Sequence, residues 1–246
     1  MKVTLMLMLI LITGVLKGQE PFTKYPAISY KEYGDWIRDD TSEGRREVYF
    51  TKTIPNFFEN KDSLKIQITF TYDNIDTSYI DIYRNNKHIQ NFFEPFGIPA
   101  PTGDLPIQVA DINGDGLPDV KFMIPYMSCG LGVNCRVIYL FQKPDCNFTK
   151  ISYLDMFGEY EPERDFDGDK NYEIITRFLV SYKNHSYWLY NLYNYTENGL
   201  INVNKKGNYP IMIQFLNRDN YKITNKITRK KMKDFALPLP EDYDKR

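Results

Sequence analysis

Histidine is almost missing from this chain: His88 and His185 are the only two among 246 residues. A serine or cysteine nucleophile activated by imidazole, or a histidine-ligated metal, has only these two positions to draw on. His185 follows Lys183-Asn184 ahead of an aromatic stretch and reads as a solvated turn residue. No Gly-x-Ser-x-Gly elbow, no His-Glu-x-x-His and no phosphate-binding glycine loop occurs. These absences point away from an enzyme. Cysteine is also scarce, with Cys129, Cys135 and Cys146 alone. In an oxidising compartment Cys129 and Cys135, which flank a glycine-rich stretch, are the candidate disulfide and leave Cys146 over. An excess of basic charge is lacking too: 31 Lys and Arg stand against 32 Asp and Glu. That balance excludes the strongly basic face that nucleic acid demands.

Long apolar runs are confined to the start. Lys2 precedes an apolar stretch from Leu5 to Leu16, and Lys17-Gly18 follows. A charged start, about a dozen apolar residues and a small residue form the plan of a secretory signal peptide, whereas a spanning helix needs about 20 apolar residues. Residues 1–18 are expected to be removed, leaving a periplasmic or secreted chain with no membrane span. Their loss takes away Lys2 and Lys17 and shifts the net charge from −1 to −3.

What the sequence has in quantity is aromatic and β-branched residues, including 20 Tyr, and these favour strands. Residues 64–73 alternate strictly, with Ile66, Ile68, Phe70 and Tyr72 on one face and polar side chains on the other. Residues 136–141 and 187–195 are apolar on both faces, so both sides of those strands need cover. The connections are short and hold no convincing amphipathic helix, which leaves antiparallel sheets stacked face to face. Placing Asp111 over Asp165, an offset of 54 residues, aligns two acidic loops and the strands after them. Repeat units are read near 64–94, 105–153 and 160–204, with further strands at 46–55 and 209–217. The expected fold is all-β: a propeller-like array of short antiparallel meanders in four or five partly incomplete blades, with a multi-layer β-sandwich as the alternative. The units lie in a single β domain over 46–233, between an N-terminal extension at 19–45 and an extended, mobile C-terminal tail at 234–246.

The strongest chemical signal is Asp111-Ile112-Asn113-Gly114-Asp115-Gly116-Leu117-Pro118-Asp119. Side-chain oxygens at positions one, three, five and nine, a glycine at six and the carbonyl of Leu117 at seven suit a hard cation, and Ca2+ above Mg2+ because the set is flexible. The second loop offers Asp165, Asp167, Asp169, Asn171 and Glu173 at positions one, three, five, seven and nine, but places Lys170 at position six. Position twelve is Phe122 or Thr176, and strands rather than helices follow, so neither loop is an EF-hand.

The phrase "ADINGDGLPDVKF" resembles the calcium loop of FG-GAP and VCBS-type repeats. The chain order, in which "KHIQNFF" precedes the first acidic loop and "VIYLF" follows a glycine-containing loop, is similar to that of bacterial periplasmic inhibitors of lysozyme-like hydrolases, some of them immunity proteins. This resemblance implies a calcium-binding module whose partner is a protein, such as a peptidoglycan hydrolase. A partner-binding finger is expected at Ser128, Gly130, Leu131, Gly132, Val133 and Asn134. The alternative is an envelope-glycan module using the tyrosine-rich run 182–195 as a stacking platform, and a carbohydrate-active enzyme comes last.

Overall fold

The computed structural model describes residues 22–39, 47–71, 78–95, 106–128, 133–157, 161–215 and 227–246. The expected signal segment at 1–18 and the finger residues 129–132 lie outside them. Strand β1 (Lys31–Tyr33) is followed by the meander β2 (Ile37–Asp39), β3 (Glu47–Ile54), β4 (Leu64–Thr71), β5 (Ser78–Arg84) and β6 (Lys87–Glu94). A second meander comprises β7 (Ile107–Ala110), β8 (Asp119–Ser128), β9 (Val133–Gln142) and β10 (Phe148–Phe157). The third holds β11 (Ile174–Tyr182), β12 (His185–Thr196), β13 (Gly199–Asn202), the short helix α1 (Asn204–Gly207) and β14 (Ile211–Gln214). Helix α2 (Arg229–Met232) and β15 (Glu241–Lys245) complete the chain. Among the described residues no helix is long and apolar enough to cross a membrane.

These strands form three antiparallel sheets. The first runs β2-β3-β4-β5-β6, the middle one β1-β7-β8-β9-β10-β15, and the third β11-β12-β13 with β14 also on β12. Alternation decides how they stack. Ile66 and Ile68 of β4 pair with Ile82 and Ile80 of β5 and are fully buried. They meet Val120, Phe122, Ile124, Ile138 and Leu140 of the middle sheet. The opposite face of that sheet, with Val137, Tyr139, Phe141, Ile151 and Tyr153, packs on Ile174, Tyr193 and Leu200 of the third. Each such aliphatic side chain contributes roughly 1.5–3 kcal/mol by leaving water. The doubly apolar strands are therefore covered on both sides, as their sequence requires. Two hairpins turn through Asn85-Asn86 and Lys183-Asn184, all four at positive φ, the geometry that matches strand twist. His185 opens β12 directly after its turn.

The chain is all-β, with the layers of a sandwich of three sheets. The three repeat units map onto the three sheets, but additional blades do not appear among the described residues, and none of the sheets closes on itself. The stretch 46–55 became β3, which pairs with β4 along its length and adds Val48, Phe50 and Ile54 to the same core. The stretch 209–217 supplied β14, which pairs with β12. Both ends of the described chain also join the sheets. β1 and β2, from the expected extension, edge the middle and first sheets. The tail at 234–246 begins in a 3-10 turn at Lys233–Phe235 and ends in β15, which pairs with β10, while Lys150 and Arg246 exchange backbone hydrogen bonds at 2.9 Å.

A buried ionic network ties these pieces together. Glu94 of β6, fully buried, accepts from Arg136 Nε of β9 at 2.8 Å, Lys150 Nζ of β10 at 2.7 Å and Ser152 Oγ at 2.8 Å. Lys150 also meets Asp244 of β15 at 2.8 Å, and Arg136 Nη1 donates to the Asp242 carbonyl at 2.7 Å. One carboxylate thus links the first sheet to the middle sheet, and its two cations link onward to the C-terminal strand. Glu94→Ala leaves Arg136 and Lys150 buried without the carboxylate they share. A loss of about 3–5 kcal/mol in unfolding free energy is expected, to be measured by urea titration.

Candidate functional site

The two acidic loops lie at the entries of adjacent sheets. The first joins β7 to β8, and the second leads from Arg164, bridged to Glu173, into β11. Their hydrogen bonds repeat position by position. The position-nine carboxylate accepts the N–H of position two, Asp119 Oδ2 from Ile112 at 2.9 Å and Glu173 Oε2 from Phe166 at 2.8 Å. The position-one carboxylate accepts from position six, Asp111 Oδ2 from Gly116 at 2.9 Å and Asp165 Oδ2 from Lys170 at 3.3 Å. The position-five carboxylate accepts from position seven, Asp115 Oδ1 from Leu117 at 2.8 Å and Asp169 Oδ1 from Asn171 at 2.9 Å. Positions four and six are left-handed in both, at φ 75° and 85° for Gly114 and Gly116 and at 83° and 68° for Gly168 and Lys170. Lys170 therefore adopts the turn that glycine makes in the first loop, as one residue of unfavourable handedness.

The loops also touch. Tyr172 N–H donates to the Ile112 carbonyl at 2.9 Å. A Cβ on Gly114 would stand 2.8 Å from the Lys170 carbonyl oxygen, closer than a carbon can approach.

Their electrostatics differ. In the first loop no basic side chain pairs with Asp111, Asp115 or Asp119 among the described residues. Asp111 Oδ1 is buried without a hydrogen-bond partner. Burial pushes the Asp119 carboxyl up to about 8, against the N–H groups of Gln142 and Ile112 that favour its ionised form. In the second loop Asp165, Asp167 and Glu173 bring one carboxylate oxygen each within 4.8 Å of one another. Lys206 of α1 joins that loop. Its Nζ lies 2.6 Å from Asp167, 3.0 Å from Glu173 and 3.3 Å from Asp169. Burial pulls the Lys206 ammonium down, but its bonds to Asp167 and Glu173 outweigh this and raise it. Asn171 Oδ1, at position seven, is buried and unpartnered.

Sequence reasoning named every acidic and amide side chain of both loops and missed Lys206. The lysine lies 33 positions beyond Glu173, in a run without periodicity, and only the surplus of carboxylates in the second loop hints at a basic partner.

A second polar cluster sits between the middle and third sheets. Lys121 Nζ meets Glu163 at 2.6 Å, and the Tyr139 and Tyr30 hydroxyls also donate to Glu163. Beside it, Tyr139, Tyr153, Asp155, Arg177 and Cys135 line a cavity of about 40 Å³, room for a few waters and too small for a sugar ring. Burial pushes Asp155 up to about 6 against the N–H of Arg177. Cys135 and Cys146 are free thiols, and burial pushes Cys135 up to about 12. Its expected partner Cys129 lies outside the described residues. Of the expected finger, Ser128 pairs with Val133, and Asn134 lies opposite Met127 and Met156. In the tyrosine-rich run, Tyr187, Tyr190 and Tyr193 are core residues, each at most 1% exposed.

Comparison of the chain with protein-family models, with curated proteins and with solved structures found no match.

The contact between the loops can be isolated by substitution. Gly168→Ala meets nothing within 4 Å and carries only the strain of its positive φ, about 1 kcal/mol. Gly114→Ala adds the collision with the Lys170 carbonyl, and a total of about 2–4 kcal/mol is expected. Thermal melts of the two variants give the difference.

Proposed function

We propose that this chain is an exported, calcium-stabilised β-protein that acts at the cell envelope by binding a protein partner. One observation carries the calcium reading. The first loop gathers three carboxylates and an amide with no basic partner among the described residues, and one buried oxygen, Asp111 Oδ1, is left without a donor. All the donors are oxygen, the chemistry of a hard cation. Asp111, Asn113, Asp115, Asp119 and the Leu117 carbonyl would hold the ion. When bound, it supplies the positive charge that cancels their repulsion. Asp119 accepts two backbone N–H bonds and retains lone pairs for a metal. Asp165, Asp167, Asp169, Asn171 and Glu173 form a second candidate set of the same design.

The loop residues and their shared hydrogen-bond pattern support kinship with FG-GAP and VCBS-type repeats. Three meanders stacked in chain order support reading the sheets as neighbouring blades of a propeller-like array. The charged and apolar segments at 1–18 support export. The similarity of layout to inhibitors of lysozyme-like hydrolases supports a protein partner, with the tip of the β8–β9 hairpin as the contacting finger. Burial of Tyr187, Tyr190 and Tyr193 in the core leaves Tyr182, Trp188 and Tyr195 as the partly exposed aromatics of the run on which the glycan reading rests, and protein binding ranks first.

Calcium at 1 mM is expected to stabilise the protein by about 0.4–1.4 kcal/mol, given the 0.1–1 mM dissociation constants common in extracellular modules. The melting temperature should rise with calcium, fall back with chelator and lose this response in Asp111→Ala. A melt indifferent to both additions sinks the calcium reading. For the partner, a panel of lysozymes assayed with the purified chain should contain at least one that is inhibited. Retention on peptidoglycan without any inhibition would favour the glycan alternative.

A further inference from the structure

The second acidic loop has already acquired a cation. We propose that Lys206 is its resident counter-ion, so that the protein takes calcium in the first loop only and the second holds together without metal. This inference rests on the calcium reading of the first loop and makes a separate statement about the second.

The lysine contacts positions three, five and nine, Asp167, Asp169 and Glu173. Those are the positions at which the first loop presents Asn113, Asp115 and Asp119. The ammonium therefore stands against three of the five ligand positions that a metal would use. With its amide nitrogen turned to donate to Glu173 Oε1 at 3.0 Å, Asn194 presents its oxygen to Lys206 Nζ at 3.3 Å. An ammonium has three N–H bonds to give, so Asp167, Asp169, Glu173 and Asn194 saturate it. The two loops also part at the second oxygen of position nine. Asp119 Oδ1 accepts the backbone N–H of Gln142 at 2.9 Å, while Glu173 Oε1 accepts from Lys206.

The lysine is placed by a built turn and does not drift in from the surface. Asn204, buried at the start of α1, accepts the Leu192 N–H at 2.8 Å and donates to Asn191 Oδ1 at 2.9 Å. Val203 N–H bonds the Leu192 carbonyl at 2.9 Å. Gly207 seats the turn so tightly that a Cβ would lie 2.8 Å from Tyr209, 2.9 Å from Leu192 and 3.0 Å from Phe166 of the loop itself. Asn208 then ends the helix in the left-handed conformation. With its backbone held on β12 and against Phe166, Lys206 has a short reach to the carboxylates, and little further entropy is lost in holding it there. A calcium ion entering the loop would have to expel an ammonium bonded to three carboxylates, one of them the fully buried Glu173. Lys170 at position six adds a further positive charge to the rim. Because the loops touch through Tyr172 and Ile112, one divalent ion beside one tethered monovalent charge also repels less than two divalent ions would.

The test counts bound calcium. Equilibrium dialysis and calorimetry with calcium alone are run on the full chain and on Lys206→Met. The variant is expected to bind one ion more than the wild type, with the extra ion lost again on adding Asp167→Asn. Equal numbers in wild type and Lys206→Met overturn the proposal. So does a wild type that loses a bound ion on Asp167→Asn. A wild type that binds no calcium defeats the reading of the first loop, while a gain from none to one in Lys206→Met still upholds the role of Lys206. If Lys206→Met does not fold, the 15N signal of the Lys206 ammonium in the wild type, assigned with Lys206→Arg, decides. A signal unmoved by millimolar calcium supports the proposal, and its displacement overturns it.

Discussion

The central strands of the middle sheet carry buried side chains on both faces, and the neighbouring sheets are arranged around that constraint. A strand ordinarily sends alternate side chains to water, but β9 buries every residue from Cys135 to Gln142. Such a strand has to be sandwiched, which is why the first and third sheets lie on opposite sides of it. Any charged residue it carries must find its counter-charge inside. Arg136 and Lys150 turn to Glu94 on one face, and Lys121 turns to Glu163 on the other. These pairs cross between layers. They fix how the sheets are set against one another more than they add to net stability, since taking five charges out of water offsets most of what their attraction returns.

The same constraint pushes unbalanced charge outward to the loops. With both faces of the middle sheet committed, clustered carboxylates can gather only where strands enter the layers, and both acidic loops sit there. Their common set of hydrogen bonds shows that the turn itself is made by the backbone with the carboxylates at positions one, five and nine. Identical turns thus receive different electrostatic solutions. The second loop closes on a lysine supplied by its own sheet, and the first has no such partner among the described residues.

Periodicity made much of this fold legible. The alternation of 64–73 and the doubly apolar runs at 136–141 and 187–195 place β4, β9 and β12 and require stacked sheets. The offset between Asp111 and Asp165 aligns two loops whose carboxylates at positions one, five and nine accept the same backbone N–H groups. Other features escaped because they depend on distance in space. Glu94, Lys150 and Arg136 look like ordinary surface charges in a linear reading, and nothing local says that they share a buried site. The strands at 46–55 and 209–217 are placed by pattern, and only their hydrogen bonds, to β4 and β12, assign them to the first and third sheets. Pro238 and Pro240 suggested a loose tail, whereas the residues just beyond them still form a strand, since the second proline precedes β15 and takes no bond from its ladder.

The middle sheet is bounded by strands from far along the chain: β1 lies on β7, some 76 positions away, and β15 on β10 at about 94 positions. Closing contacts so remote is slow, because the loop entropy is lost before the pairing returns anything. Until residues 241–245 arrive, β10 is a bare sheet margin with its amides and carbonyls open to strangers. A nascent or clipped chain in that state is a template for pairing with its own kind. The last strand takes over as the selvage of the sheet, and as a short border carrying Glu241, Asp242, Asp244 and Lys245 it is a poorer template than a bare β10.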